Sequence, residues 1–426
     1  MAGPAGQARA AAPTRRSPWR QPAVQRMISA EIISRLGTQL TALAIPWFVL
    51  VSTGSISRMG LVFAVELIPV AVLGIPSGHL VARIGVRKTM YAGEGLSAVL
   101  IALVPVLHWA GLLSYGALLV IVAAMGLVTA PFLAAQRLML PEVLGDDEAT
   151  VVAGNAGLEA VTRTATVAGP AAAGYLIVAV GTLNVLWIDA ASYVVSFALL
   201  LGLPQAANLA AAAEQGGGRL LDGVRYVLQD HVVGRVVTAA FCYGLVTPFI
   251  LISLPVMAKI RYGGDPRVAG WLFAAWGIGA VLGTFAVMRL ARRLPPIRMG
   301  AIGALCLAIP LWFLPLHQPA VTVGIILAVS GIFTSLLNSP LIALLTTRPP
   351  PAVRPHVVTL TVTSNFLAAP VAYALAGTLI AHAGLGTVQL AVAAALTACA
   401  LLVFSLLGYE PTAQAAPALG GDNEAG

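Results

Sequence analysis

Seven ionisable side chains interrupt the long apolar stretches of this chain: Glu31, Arg35, Glu66, Glu94, Glu159, Arg163 and Asp189, all in its first half. A charge inside lipid is costly, so such residues usually face a protein interior and mark an ion or substrate path. Glu31 and Arg35 are four residues apart, as are Glu159 and Arg163. That spacing sets each pair on one helix face, where opposite charges compensate. Each pair reads as a structural salt bridge or as part of a polar cavity, and the greater depth of Arg35 favours the cavity for that residue. Glu66, in Phe63-Ala-Val-Glu-Leu-Ile-Pro69, has no cation one turn away. A carboxyl group without a fixed partner is suited to loading and releasing protons; the alternative is a hydrogen-bonded acid that holds two helices together. Asp189, in Trp187-Ile-Asp-Ala-Ala-Ser192, allows the same two readings nearer the outer end of its span. Glu94 reads as a structural partner of the basic loop that precedes it.

The second half offers only neutral polar groups in its spans, such as Asn338, Asn365 and Gln389. Trp47, Phe132, Tyr243, Trp276, Phe333 and Phe366 could line a cavity for flat apolar compounds or pack against helices and lipid. Gly169-Pro170 with Gly174 falls inside one apolar run; proline kinks a helix and small residues let another approach. Cys242, Cys306 and Cys399 stand far apart and read as small packing residues, with no disulfide or metal-ligand spacing.

The elements that position these groups must be membrane helices. Of the 426 residues 59% are hydrophobic and only 9% charged, against roughly 25% charged in a soluble domain. A span needs about 20 apolar residues, and candidates lie at 27–51, 59–80, 89–110, 113–135, 154–180, 184–203, 236–257, 268–288, 299–316, 320–346, 357–381 and 386–407, the ninth being short. The polar stretch 204–235 separates six spans from six and contains an amphipathic segment, with apolar residues at 220, 221, 224, 227 and 228. The expected fold is therefore all-α, with about twelve transmembrane helices. Its parts are a tail at 1–26, a six-helix unit at 27–203, a linker at 204–235, a second six-helix unit at 236–407 and a tail at 408–426.

Lys and Arg collect in the loops on one side, which the positive-inside rule makes cytoplasmic, with both termini inside. Opposite loops hold Arg58, Lys259, Arg261 and Arg267. A faint repeat relates the halves: Gly78 precedes Arg83, Arg87 and Lys88 after span two, and Gly283 precedes Arg289, Arg292 and Arg293 after span eight. Related halves with a site near mid-membrane are characteristic of secondary transporters. The net charge of +8 resides in these loops and forms no stripe suited to nucleic acid. No phosphate-binding loop, H-E-x-x-H or G-x-S-x-G occurs, so an enzyme is not expected, nor a cofactor or metal.

The segment Gly78-His-Leu-Val-Ala-Arg83-Ile-Gly85-Val-Arg87-Lys88 resembles the loop motif of the major facilitator superfamily, G-x-x-x-D-R-x-G-R-R, with Ala82 where the family has Asp. Gly169-Pro170-Ala-Ala-Ala-Gly174 resembles its fifth-helix motif, associated with antiport. Pro141-Glu142 and Asp189-Ala-Ala-Ser192 are similar to segments of its drug and siderophore exporters. The resemblance implies two pseudo-symmetric six-helix bundles that rock about a central cavity, gated at the inner side by Gly78, Arg83, Gly85, Arg87 and Lys88. The expected protein is a proton-coupled exporter of small, fairly hydrophobic compounds, monomeric, in the plasma membrane. A facilitator or importer of the same fold is the alternative, and a non-transporting scaffold a further one.

Overall fold

The computed structural model describes residues 22–74, 76–144, 148–202, 220–351 and 353–409. Of the tails expected at 1–26 and 408–426, residues 1–21 and 410–426 lie outside the described residues, as does the linker up to residue 219, while residues 22–26 begin the first helix. Fourteen α-helices follow one another among the described residues: α1 Pro22–Thr53, α2 Ile56–Leu73, α3 Pro76–Ile84, α4 Val86–Trp109, α5 Tyr115–Leu144, α6 Glu148–Val180, α7 Thr182–Leu201, α8 Leu220–Gln229, α9 His231–Arg261, α10 Pro266–Leu290, α11 Pro296–Leu311, α12 Ala320–Thr347, α13 Arg354–Ala383 and α14 Leu385–Phe404.

Among the described residues, eleven of these helices are long and apolar enough to cross a membrane, and α11 is a shorter apolar helix of 16 residues. At about 1.5 Å per residue α11 covers roughly 24 Å, less than the roughly 30 Å hydrocarbon layer, in keeping with the short ninth span. The second span differs from its expectation. It is broken into α2 and α3 around Gly74 and Pro76, because the proline disfavours helical backbone at the residue before it.

Local chemistry sets the helix ends. Ser55 caps α2 by accepting the Arg58 amide, and Asp265 caps α10 ahead of Pro266 by accepting that of Arg267. Gly181 and Gly384 occupy equivalent turns, before the last helix of each half, with φ of 85° and 84°. A side chain strains that left-handed backbone, so glycine at both turns is a structural echo of the repeat.

Asp230 caps α9 by accepting the amides of Val232 and Val233, and it pairs with Arg348 at 3.0 Å. Burial alone would raise its pKa, but those amides and the guanidinium outweigh burial and hold the carboxyl below the usual carboxylate range. A depressed native pKa gives stability above the unfolded value that is lost as pH falls through the native one. Asp230→Ala is therefore expected to destabilise the protein by about 1–2 kcal/mol at neutral pH, and the difference should shrink in strong acid. Thermal unfolding of wild type and variant in detergent, at neutral and low pH, measures both.

Each half repeats one packing scheme. In the first, α1 packs on α6 and α7, α2 on α5, and α4 on α5 and α7; in the second, α9 packs on α13 and α14, α10 on α12, and α11 on α12 and α14. Two seams join the halves, α2 on α13 and α6 on α10, and these are symmetry equivalents. Large apolar side chains cover the outward faces, among them Val72, Val99, Val195, Phe285, Ile325 and Leu401, all more than a third exposed. Apolar coverage of this kind suits lipid rather than water.

Glycines let the two halves approach closely along the seams. The end carrying the 78–88 turn is the basic end; the other is the far end. A β-carbon added at Gly270 on α10 would lie 2.2 Å from the Pro170 carbonyl oxygen of α6, and one at Gly60 on α2 would lie 2.7 Å from that of Tyr373 on α13. Both contacts belong to the far half of the molecule. These close approaches hold the halves together on the far side. Toward the basic end, Ala156, Glu159, Ala160, Arg163 and Thr164 recur at helical spacing and form one exposed stripe of α6.

Candidate functional site

The expected acids separate into two groups. One is a polar column inside the first half. On α1, Glu31, Ser34, Arg35, Thr38 and Thr41 recur at helical spacing and form one stripe. It meets Asp189, Ser192, Tyr193 and Ser196 on α7, Glu94 on α4 and Gln136 on α5. Arg35 Nε donates to Glu31 at 2.6 Å and its Nη2 donates to Gln136 at 2.7 Å. Ser34 and Ser196 donate to the two oxygens of Glu94 at 3.3 and 2.9 Å. The Thr38 and Tyr193 hydroxyls meet at 2.9 Å. Asp189 accepts from Thr41 and, at 3.2 Å, from Ser192.

The column is dry. Glu31, Glu94 and Asp189 are 6%, 2% and 0% exposed, so their hydrogen bonds replace water that burial removed. A cavity of about 10 Å³ lies against Glu31, Glu94, Gln136 and Ser196, on the scale of one water molecule. Met27, Val81, Met90 and Met139 form an apolar plug at the basic end of the column. Glu94 thus departs from its expectation: it bonds two serines of neighbouring helices rather than the basic loop. Asp189 likewise faces α1 inside its own bundle.

Glu66 stands apart at the seam. One turn earlier on α2, Phe63 stacks on Tyr373 of α13 with ring centroids 4.8 Å apart. Glu66 therefore follows this far-end closure on its basic side. The residue is half-buried, and its carboxylate has no hydrogen-bond or ion-pair partner among the described residues. The α2 backbone at Glu66 rests on Gly126 of α5.

Glu159 and Arg163 form the expected pair at 3.0 Å, but their side chains are 59% and 47% exposed. They stand on the exposed stripe of α6, toward its basic end. In the fifth-helix motif, Gly169 admits Gln39 of α1, while Gly174 admits Pro266 and Arg267 of α10. The motif thus packs closely on α1 of its own half and on α10 of the other, and α6 runs through Pro170 as one helix. In the basic turn, Gly85 has φ of 94° ahead of α4. Gly78 and Arg87 are half-buried and Ala82, Arg83 and Lys88 exposed. Helix α3 packs on α2, α4 and α5 of its own half. The side chains of Pro141 and Glu142 lie outside the described residues.

In the second half, Tyr243 donates to Thr334 at 3.4 Å, and Asn365 presses on Gly244 with a buried, unpartnered carbonyl oxygen. Gln389 accepts from Arg261. Of the aromatics, Trp47 is buried in the core; Phe132, Tyr243, Trp276 and Phe333 are half-buried; and Phe366 is 46% exposed. The hydroxyl partners Ser34, Thr38, Thr41, Ser192, Tyr193 and Ser196, together with Gln136, are the members of the column that a reading of charges alone omits.

Known proteins share this organisation. Residues 27–369 and 236–425 match the Major Facilitator Superfamily. The multidrug efflux pump Tap of Mycolicibacterium fortuitum is 25% identical over 380 residues, covering 86% of this chain and 91% of that protein. The pump of the same name from Mycobacterium tuberculosis is 24% identical over 391 residues, covering 89% and 92%. Among solved structures, the nucleoside transporter NupG superposes with a TM-score of 0.74 at 14% identity, covering 92% of this chain and all of that one. A bacterial homologue of the human lysosomal transporter Spinster, inward-facing and unoccupied, superposes with a TM-score of 0.68 at 14% identity, covering 92% and 97%. These last two are likenesses of fold. With that family match over most of its length, on two six-helix halves joined by symmetric seams, the chain belongs to the major facilitator superfamily and is a multi-pass membrane transporter.

Proposed function

We propose that this transporter exports small, fairly hydrophobic compounds by alternating access, driven by protons moving inward. The observation that carries the proton is Glu66, whose carboxyl group, at the line where the halves meet, has no partner among the described residues. Efflux is supported by the relatives named as multidrug pumps, which align over nearly the whole chain. In this reading the six-helix units 27–203 and 236–407 are the moving bodies, with the amphipathic helix of the 204–235 linker between them. The basic end is cytoplasmic, as the positive-inside rule requires, and the protein works as a monomer in the plasma membrane. Glu66 exchanges the proton, Arg35, held by Glu31, presents the column's one cation to the transport path, and Asp189 ties α7 to α1. Glu159 and Arg163 border the entrance. Gly78, Arg83, Gly85, Arg87 and Lys88 form the inner gate, which closes without the family's aspartate at Ala82. The partly buried aromatics and neutral polar groups of the second half offer a surface for flat, weakly polar substrates.

The test is uptake of cationic dyes and candidate drugs into inverted vesicles under an imposed pH gradient. Accumulation that collapses on addition of a protonophore is the expected result. Transport that runs only downhill and ignores the protonophore identifies a facilitator and overturns the coupling.

A further inference from the structure

Three of the four cations on the far side of the chain, Lys259, Arg261 and Arg267, cluster within nine residues at the α9–α10 turn. The positive-inside rule disfavours cations at this position, so another cause must hold them there. Two of the three act within the second half. Arg261 donates to the Leu314 and Pro315 carbonyls and to Gln389 Oε1, fixing the end of α9 to α14 and to the segment after α11. Arg267 pairs with Asp265 beside it.

Lys259 does something different. Its half-buried ammonium crosses to the other half and donates to the Leu50 carbonyl of α1. Leu50 lies in the last turn of α1, which stops at Thr53 ahead of Gly54 in the left-handed conformation. The last carbonyls of a helix lack intrahelical partners and carry the negative end of its dipole, so the ammonium supplies a cationic cap from outside the helix. The Ser57 hydroxyl reaching the Gly377 carbonyl at 3.5 Å is a second, longer hydrogen bond across the halves, also at the far end.

We propose that Lys259 is the far-end latch of the transport cycle, a positioning residue whose bond to the Leu50 carbonyl holds this end closed while the basic end is open. The inference rests on the alternating-access reading. For the far end to open, α1 and α9 must part and the bond must break, so the latch weights the populations of the two states. Because it joins a cation to a backbone carbonyl rather than to a carboxylate, no proton need move to release it. Arg261 braces the arm from which Lys259 reaches. A charge at a helix end of this kind shifts a two-state balance by about threefold to thirtyfold.

The experiment is pulsed electron-paramagnetic distance measurement on the purified full-length chain, free of Cys242, Cys306 and Cys399, with spin labels at Ser52 on α1 and Val321 on α12, at acidic and alkaline pH. Lys259→Met should enlarge the long-distance, far-end-open population about threefold or more at both pH values, and Lys259→Arg should restore the wild-type distribution. Lys259→Gln, which keeps a donor but loses the charge, should fall between and serves if the methionine variant does not fold. Unchanged distributions in the neutral variants overturn the latch, as does a shift that arginine fails to reverse. A wild-type protein that never shows a second distance overturns the alternating-access reading instead.

Discussion

Arg35→Met is expected to abolish transport and to destabilise the protein by about 2–4 kcal/mol, because breaking a buried ion pair by removing one partner leaves the other charge uncompensated. The stranded partner is Glu31, whose side chain is 7% exposed. Gln136 on α5 loses its donor in the same substitution. The loss falls at the lower end of that range to the extent that water replaces the guanidinium, whose side chain is 25% exposed. A double variant separates the pair's two roles. Arg35→Met with Glu31→Gln removes both charges, and an apolar or neutral substitute for a buried pair is often as stable as the pair. The double variant is therefore expected to melt within about 1 kcal/mol of wild type, by the usual non-additivity of contacting residues. Transport should stay lost, since Arg35 is the one cation in a column of three buried acids and the only member of its pair that reaches toward solvent. Recovery of transport along with stability would make Glu31–Arg35 a structural bridge and remove it from the mechanism. Thermal unfolding in detergent and dye efflux from cells, measured on the same three proteins, decide it.

Long apolar runs disclosed most of the fold in the sequence. Helix length and the polar stretch between residues 203 and 236 are local properties, so the two sets of six and the short ninth helix were legible. The break at Gly74–Pro76 was legible too, through the restriction a proline places on its predecessor, but the apolar run across it concealed the signal. The site was harder to read. Spacing alone pairs Glu31 with Arg35 and Glu159 with Arg163, and both pairs form. What spacing cannot give is the direction each helix turns its polar stripe. Asp189 and Glu66 have the same sequence character, an acid in an apolar run without a cation nearby. Packing sends one into the α1–α7 contact, with two hydroxyl donors, and the other to the α2–α13 seam, with none. A clue did exist for Asp189. Ser192, Tyr193 and Ser196 continue its stripe on α7, and Ser34, Thr38 and Thr41 supply a matching stripe on α1. Hydroxyls that complement an acid across two helices mark an interior contact, whereas Glu66 has apolar residues on both sides along α2.

Glu66→Gln tests that distinction most directly. Glutamine keeps the shape of the side chain and removes only its capacity to carry a proton, so packing against Gly126 and the neighbouring Phe63–Tyr373 stack should survive. With no ion pair to lose, the variant should fold and melt like wild type. Its expected defect lies in coupling. A potential of 100 mV is worth about 2.3 kcal/mol per charge, and about 1.4 kcal/mol is tenfold, so one proton per cycle sustains roughly a fortyfold substrate gradient. In inverted vesicles Glu66→Gln should bring that gradient down to about unity while retaining exchange of labelled for unlabelled substrate, because exchange needs the halves to rock but needs no proton. Loss of exchange together with accumulation would instead indicate that the carboxylate binds substrate. Proton-driven accumulation equal to wild type would transfer the proton to the buried column, where Glu94 and Asp189 are the remaining acids without a cation bound to them.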